Sequence, residues 1–128
     1  MTHFDVPTRK RDQFVDITAQ VQQAVKSLDI VDGVVTVFVP HTTCGVTINE
    51  NTGPDVIDDI VEQLDAMVPQ SQPFYRHTEG NSAAHVKASL TGCSLQVFVT
   101  CGHVELGVWQ AIYLCEFDGP RMRRVWVK

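Results

Sequence analysis

VVTVFVPHTTCGVTINEN, residues 34–51, carries two strands and the break between them. Val34 to Val39 is an unbroken β-branched and aromatic run, which predicts a central strand entered through the Asp32-Gly33 turn. Pro40 has no N–H to give to a ladder, so the strand is expected to stop there. Beyond it Val46 and Ile48 alternate with Thr47 and Asn49, the period of a second, half-buried strand. His41 therefore falls just past a strand end, a position at which sites are commonly built.

Helical and extended segments alternate around this pair. Upstream, Val21, Ala24, Val25 and Leu28 recur at helical spacing, with Thr18 in the place of an N-cap. Downstream, Val56, Ile57, Ile60, Val61 and Leu64 form one stripe of a second helix. Pro54 suits its first turn, and Asp55, Asp58 and Asp59 complement its dipole. Residues 69–81 are polar and hold two prolines, a long loop. Ser82 is placed to cap a short helix ended by Gly92, and SLQVFVT follows as a strand. A tight turn at Cys101–His103 leads into VELGVWQAIYLCEF, expected as strand, and Asp118-Gly119-Pro120 turns into a last strand, RMRRVWV. This order predicts an α+β fold, a mostly antiparallel sheet or sandwich with two main helices and a short third one.

The chain has 128 residues, the size of one domain, and residues 1–13 are expected to form a loosely ordered arm. Hydrophobic residues at 44% and charged residues at 20% are globular proportions, which argues against disorder. A net charge of -5 offers no general attraction to nucleic acid or to an anionic membrane. No apolar stretch reaches transmembrane length and the first residues lack a signal-like apolar region, so a cytoplasmic location is expected. The cysteines show no CxxC spacing; Cys93, Cys101 and Cys115 are expected as buried reduced thiols.

Among the histidines, His3 and His103 lie at a terminus and a turn, where inert roles are expected. His41, His77 and His85 stand at element boundaries beside small or hydroxylic residues. Three neutral imidazoles with an open fourth position would make a zinc-type site, although no HExxH or Cys/His knuckle is present. Glu50 with Asn49 and Asn51, and Glu116 with Asp118, close two strands; each pair fits turn capping as well as a general base. Arg76, Arg121, Arg123 and Arg124 are the basic counterpart, with alternation placing Arg121 and Arg123 on one face and Arg124 on the other. Trp109 is expected in the core, and Gln110 needs a partner in its apolar strand.

The segments PHTTCGVTINEN, YRHTEGNSAAHVKASLTG and LGVWQAIYLCEFDGPRMR, in this order, resemble the YjbQ family, uncharacterised protein family 0047. The resemblance runs from about Phe14 to the C-terminus. It implies a small α+β protein that forms homotrimers, and a thiamine phosphate synthase activity joining a pyrimidine pyrophosphate to a thiazole phosphate. By motif, the family's polar cluster falls on His41, Thr42, Glu50, Asn51, His77, Gly80, Asn81, His85, Gln110, Glu116 and Arg121. His41, Glu50, Asn81 and Arg121 are expected as catalytic, and Thr42, Asn51, Gln110 and Glu116 as substrate-binding. His41, His77 and His85 are expected to hold a divalent metal, zinc first. Cys44 and Val108 depart from the family pattern, and Cys44 is expected to fill space. Two classes of function stay open: an enzyme acting on a small phosphorylated molecule, or a non-catalytic trimer that binds metal or a small ligand.

Overall fold

The central strand of residues 33–38 has a partner on each side, and the sheet grows outward from it. The computed structural model describes Met1–Lys128. The elements are β1 (Thr2–Pro7), β2 (Gln13–Asp16), α1 (Thr18–Ser27), β3 (Gly33–Phe38), β4 (Cys44–Glu50), α2 (Asp55–Met67) and α3 (Ser82–Thr91). β5 (Ser94–Thr100), β6 (His103–Glu105), β7 (Gln110–Glu116) and β8 (Met122–Val127) complete the chain. Five strands form one sheet in the order β1-β8-β3-β5-β6, and three form a second in the order β2-β7-β4. Every pairing is antiparallel, so the α+β architecture expected from the sequence is the one observed. No helix is long and apolar enough to cross a membrane.

Strand β7 explains how one small domain supports two cores. Ile112 and Leu114 face the five-stranded sheet and join Val35, Val37, Val46, Val125 and the α1 residues Val21 and Val25 in the larger core. Ala111, Tyr113 and Cys115, on the opposite face, pack under Ala84 and Ala88 of α3. A strand buried on both faces needs a continuous apolar sequence rather than an alternating one, and AIYLC supplies it. Helix α2 is held differently. Its stripe of Val56, Ile57, Ile60, Val61 and Leu64 is only half-buried, and none of its residues is fully buried.

Several local expectations are corrected. The N-terminal residues do not hang loose: β1 pairs with β8 from Thr2↔Val127 to Pro7↔Met122. Thr18 opens α1 rather than capping it, and its hydroxyl accepts the N–H of Ile112 at 2.9 Å. Asn81, not Ser82, occupies the N-cap of α3, and its side chain makes no capping bond. The expected strand 104–117 is split, because residues 106–109 leave the ladder between β6 and β7. Trp109 sits in that break, 58% exposed rather than in the core. Cys115 is buried as expected, whereas Cys93 and Cys101 are exposed. Cys101 and Gly102 both take positive φ, 51° and 78°, the geometry of a two-residue hairpin turn; glycine adopts it without a Cβ clash.

Candidate functional site

Strand β7 ends on Glu116, which is completely buried. Its Oε1 accepts from Thr8 Oγ1 at 2.7 Å and Arg123 Nε at 2.9 Å, and its Oε2 accepts from the backbone N–H groups of Phe117 and Asp118 and from Arg123. Arg123 points inward with Val125 and Val127, is itself buried, and donates also to Thr43 Oγ1 at 2.8 Å. The substrate-binding role expected for Glu116 is therefore corrected. Its lone pairs are committed to five donors, and it positions the turn that follows. Sequence reading missed Thr8, whose hydroxyl bridges Glu116 and the backbone N–H of Arg121. Only the pairing of the N-terminal strand reveals it.

That turn presents the exposed chemistry. Arg121 precedes β8 and folds back on Asp118, donating from Nε to the Asp118 carbonyl at 2.8 Å and from its guanidinium to Oδ2 at 3.1 Å. It does not share the buried face of Arg123 that alternation implied. Asn81 Nδ2 donates to the same Asp118 oxygen at 2.8 Å, which ties the start of α3 to the turn. The other amide atom, Asn81 Oδ1, is buried without a partner. An orphaned acceptor at this depth costs about 1–3 kcal/mol, so the arrangement suits a donor or cation arriving from outside. One helical turn further, the rings of His85 and His77 stand edge to face, centroids 5.3 Å apart. Gly80, at φ 71°, lets the loop swing His77 into that position.

His41 is half-buried at the end of β3, its Nε2 accepting the Arg124 N–H at 2.9 Å. Burial, reinforced by the positive charge of Arg123, holds its imidazole below the ordinary value. It does not join the other two: within one chain no group of three or more His, Cys, Asp or Glu is gathered to hold a metal. Thr42 beside it is exposed, while Cys44 is buried with its thiol pushed up to about 12 by desolvation, so it fills space as expected.

The remaining expected residues lie elsewhere. Glu50 pairs in register with Gln110, and Cys44 with Glu116, so they mark opposite ends of the β4–β7 ladder. Six residue steps place Glu50 and Gln110 roughly 20 Å from the Glu116 turn. There Asn51 donates to Asp16 at 2.8 Å, and the exposed Gln110 accepts the N–H of Gly107 at 2.7 Å.

A family model described as UPF0047 protein YjbQ-like matches residues 2–128. The chain belongs to the UPF0047 family. It is 46% identical over 123 residues to the UPF0047 protein YugU of Bacillus subtilis, covering 96% of this chain and 93% of that protein. It is 45% identical over 125 residues to MJ1081 of Methanocaldococcus jannaschii, covering 98% and 90%. The fold is similar to the crystal structure of a YjbQ/UPF0047 protein from Clostridium acetobutylicum, with TM-score 0.96, 50% identity and 100% and 98% of the two chains covered. It is also similar to the conserved hypothetical protein TT1486 of Thermus thermophilus, with TM-score 0.93, 44% identity and coverage of 100% and 98%. In this UPF0047 chain the polar residues thus form two groups, one around Asn81, Asp118, Arg121 and the histidines, the other around Glu50, Asn51 and Gln110.

Proposed function

We propose that the protein is a homotrimer in which His77 and His85 hold a divalent metal, zinc first, beside an Arg121 that captures a phosphorylated small molecule. The observation that carries this reading is the imidazole pair. Two histidines on one tetrahedral ion, each about 2 Å from it through nitrogen, have ring centroids about 5 Å apart, and the observed spacing is 5.3 Å. The orphaned Asn81 oxygen at the N-cap of α3, one turn before His85, adds an acceptor suited to a cation or an N–H donor. A third ligand has to come from outside this pair, and His41 of a neighbouring copy is the first candidate. The separation of the two polar groups along one sheet favours the same assembly. A closed ring can set the Glu50 end of one chain against the Arg121 end of the next.

The reaction we propose for this site joins a pyrimidine pyrophosphate to a thiazole phosphate. The thiazole nitrogen forms a bond to the pyrimidine's methylene carbon as that carbon's bond to the pyrophosphate oxygen breaks. The nitrogen is already a nucleophile, so positioning matters more than base strength. Arg121, fixed by Asp118 on two atoms, meets the negative charge on the departing pyrophosphate, and Asn81 and Glu50 orient the ring. A divalent ion bound at the histidines supplies further charge stabilisation.

The histidine pair opens to solvent, with the His77 side chain 43% exposed, and this favours a second reading as a non-catalytic binder of metal or small ligands. One set of measurements separates the two. Metal content and thiamine phosphate formation are compared for wild type, His77→Ala, His85→Ala and Arg121→Lys, with light scattering giving the mass. Arg121→Lys keeps the charge but loses the planar fork, and turnover is expected to fall about a hundredfold. Stoichiometric metal in both histidine variants removes the metal site. Equal trace rates in all four proteins leave the binding reading. A particle of 14.3 kDa, the mass of one chain, removes the trimer and any shared site.

A further inference from the structure

A cleft of about 700 Å³ lies between α2 and β2, on the face of the small sheet away from the larger core. Its size is that of a small-molecule site. The floor is aromatic: Phe14 and Tyr113 line it, with ring centroids 6.3 Å apart at 45°. Ile57 and Val61 of α2 form an apolar wall, the part of the helix stripe that the fold leaves half-buried.

The charge inside is unbalanced. Asp12 and Asp65 are matched by Arg11 and by the buried Lys87, whose Nζ lies 2.6 Å and 2.9 Å from them. Asp16 is satisfied by the Thr18 N–H and the Asn51 amide. Asp58 and Glu62 also line the cleft, one helical turn apart, and neither forms an ion pair. Asp58 complements the dipole of α2, whereas Glu62, one turn further in, has no such role, and like charges at that spacing oppose helix stability. Lys10 is the one lining cation without an ion pair.

We propose that this cleft binds a small organic cation with an aromatic or apolar body, its ammonium group held by Asp58 and Glu62 and its body lying on Phe14 and Tyr113. Carboxylates neutralise the charge while the ring faces attract it through their quadrupole. The cleft lies apart from the histidine–Arg121 cluster of its own chain and touches the Glu50 group only at Asn51, and its ligand is tested without metal or phosphate.

The test is an amide chemical-shift titration of the full chain with benzylammonium, with benzoate and benzyl alcohol as matched anionic and neutral probes. Benzylammonium is expected to move signals of residues around Phe14, Ile57 and Tyr113, more weakly as salt is added. The exposed pair Asp58→Asn/Glu62→Gln is expected to weaken binding by about tenfold or more. Equal binding of benzoate or benzyl alcohol, or unchanged affinity in the double variant, overturns the proposal. A wild-type protein unresponsive to all three probes, as when a second copy covers the cleft, overturns it as well.

Discussion

Glu116 and Arg123 meet inside the sandwich, one at the end of β7 and the other one residue into β8, with 0% and 3% of their surface exposed. Removing one partner of such a pair leaves an uncompensated buried charge, which costs about 3–5 kcal/mol. Arg123→Met is therefore expected to lower the urea midpoint by that equivalent, although methionine fills much of the space. A loss below about 1 kcal/mol would show that water reaches Glu116 and that the pair does not organise the turn.

The Lys87 contact fixes an acid limit. Its hydrogen bond, with its charge, holds the Asp65 carboxyl below the ordinary aspartate value. A carboxylate whose folded pKa is depressed adds stability that is present above the unfolded value. That stability is lost as pH falls through the folded value. Stability is expected to decline below about pH 4 more steeply in wild type than in Asp65→Asn. Parallel acid limbs for the two proteins, measured by urea unfolding, would contradict this.

Burial divides the four cysteines into two pairs. Cys93 and Cys101 are exposed, whereas Cys44 and Cys115 are buried with their thiols pushed up by desolvation. An aromatic disulfide reagent is expected to titrate Cys93 and Cys101 in the native protein and all four after denaturation. Fast reaction of Cys44 would refute its space-filling role and restore it as a candidate ligand.

At Gly119 a side chain has no room. A Cβ there would overlap the carbonyl oxygen of Lys10 and come within 2.9 Å of both Glu116 Cγ and Thr8 Oγ1. Gly119→Ala is expected to destabilise by about 1–3 kcal/mol, since the backbone oxygen cannot swing away. At Gly53 the nearest atom is the tip of the Asp55 side chain, so Gly53→Ala is the control and should be near neutral. Equal thermal midpoints for the two variants would show that the turn yields.

Local periodicity makes most elements legible. The apolar run at 34–39 announces a central strand, and the stripe at 56–64 announces α2, because burial on one side imposes a spacing. The N-terminal strand is not legible, since THFDVP alternates weakly and takes its order from β8 at the other end of the chain. The site is legible as residue types but not as places. Glu116 and Arg123 look like surface chemistry in the sequence, and only the pairing of distant strands shows them buried together. Motif resemblance puts His41, His77 and His85 in one set, whereas the fold of a single chain brings only His77 and His85 together.

Strand β8 sits between β1 and β3, yet it follows both of them by more than eighty residues in the chain. During synthesis β1 and β3 have no strand to join them, and the gap in the sheet stays open until residues 122–127 emerge. The nascent chain therefore exposes Val6, Val35 and Val37 until β8 arrives, because the larger core cannot close without it. Arrested chains that lack residues 122–128 should be digested by a protease that spares the released protein, and should draw on a holdase chaperone when expression is strong.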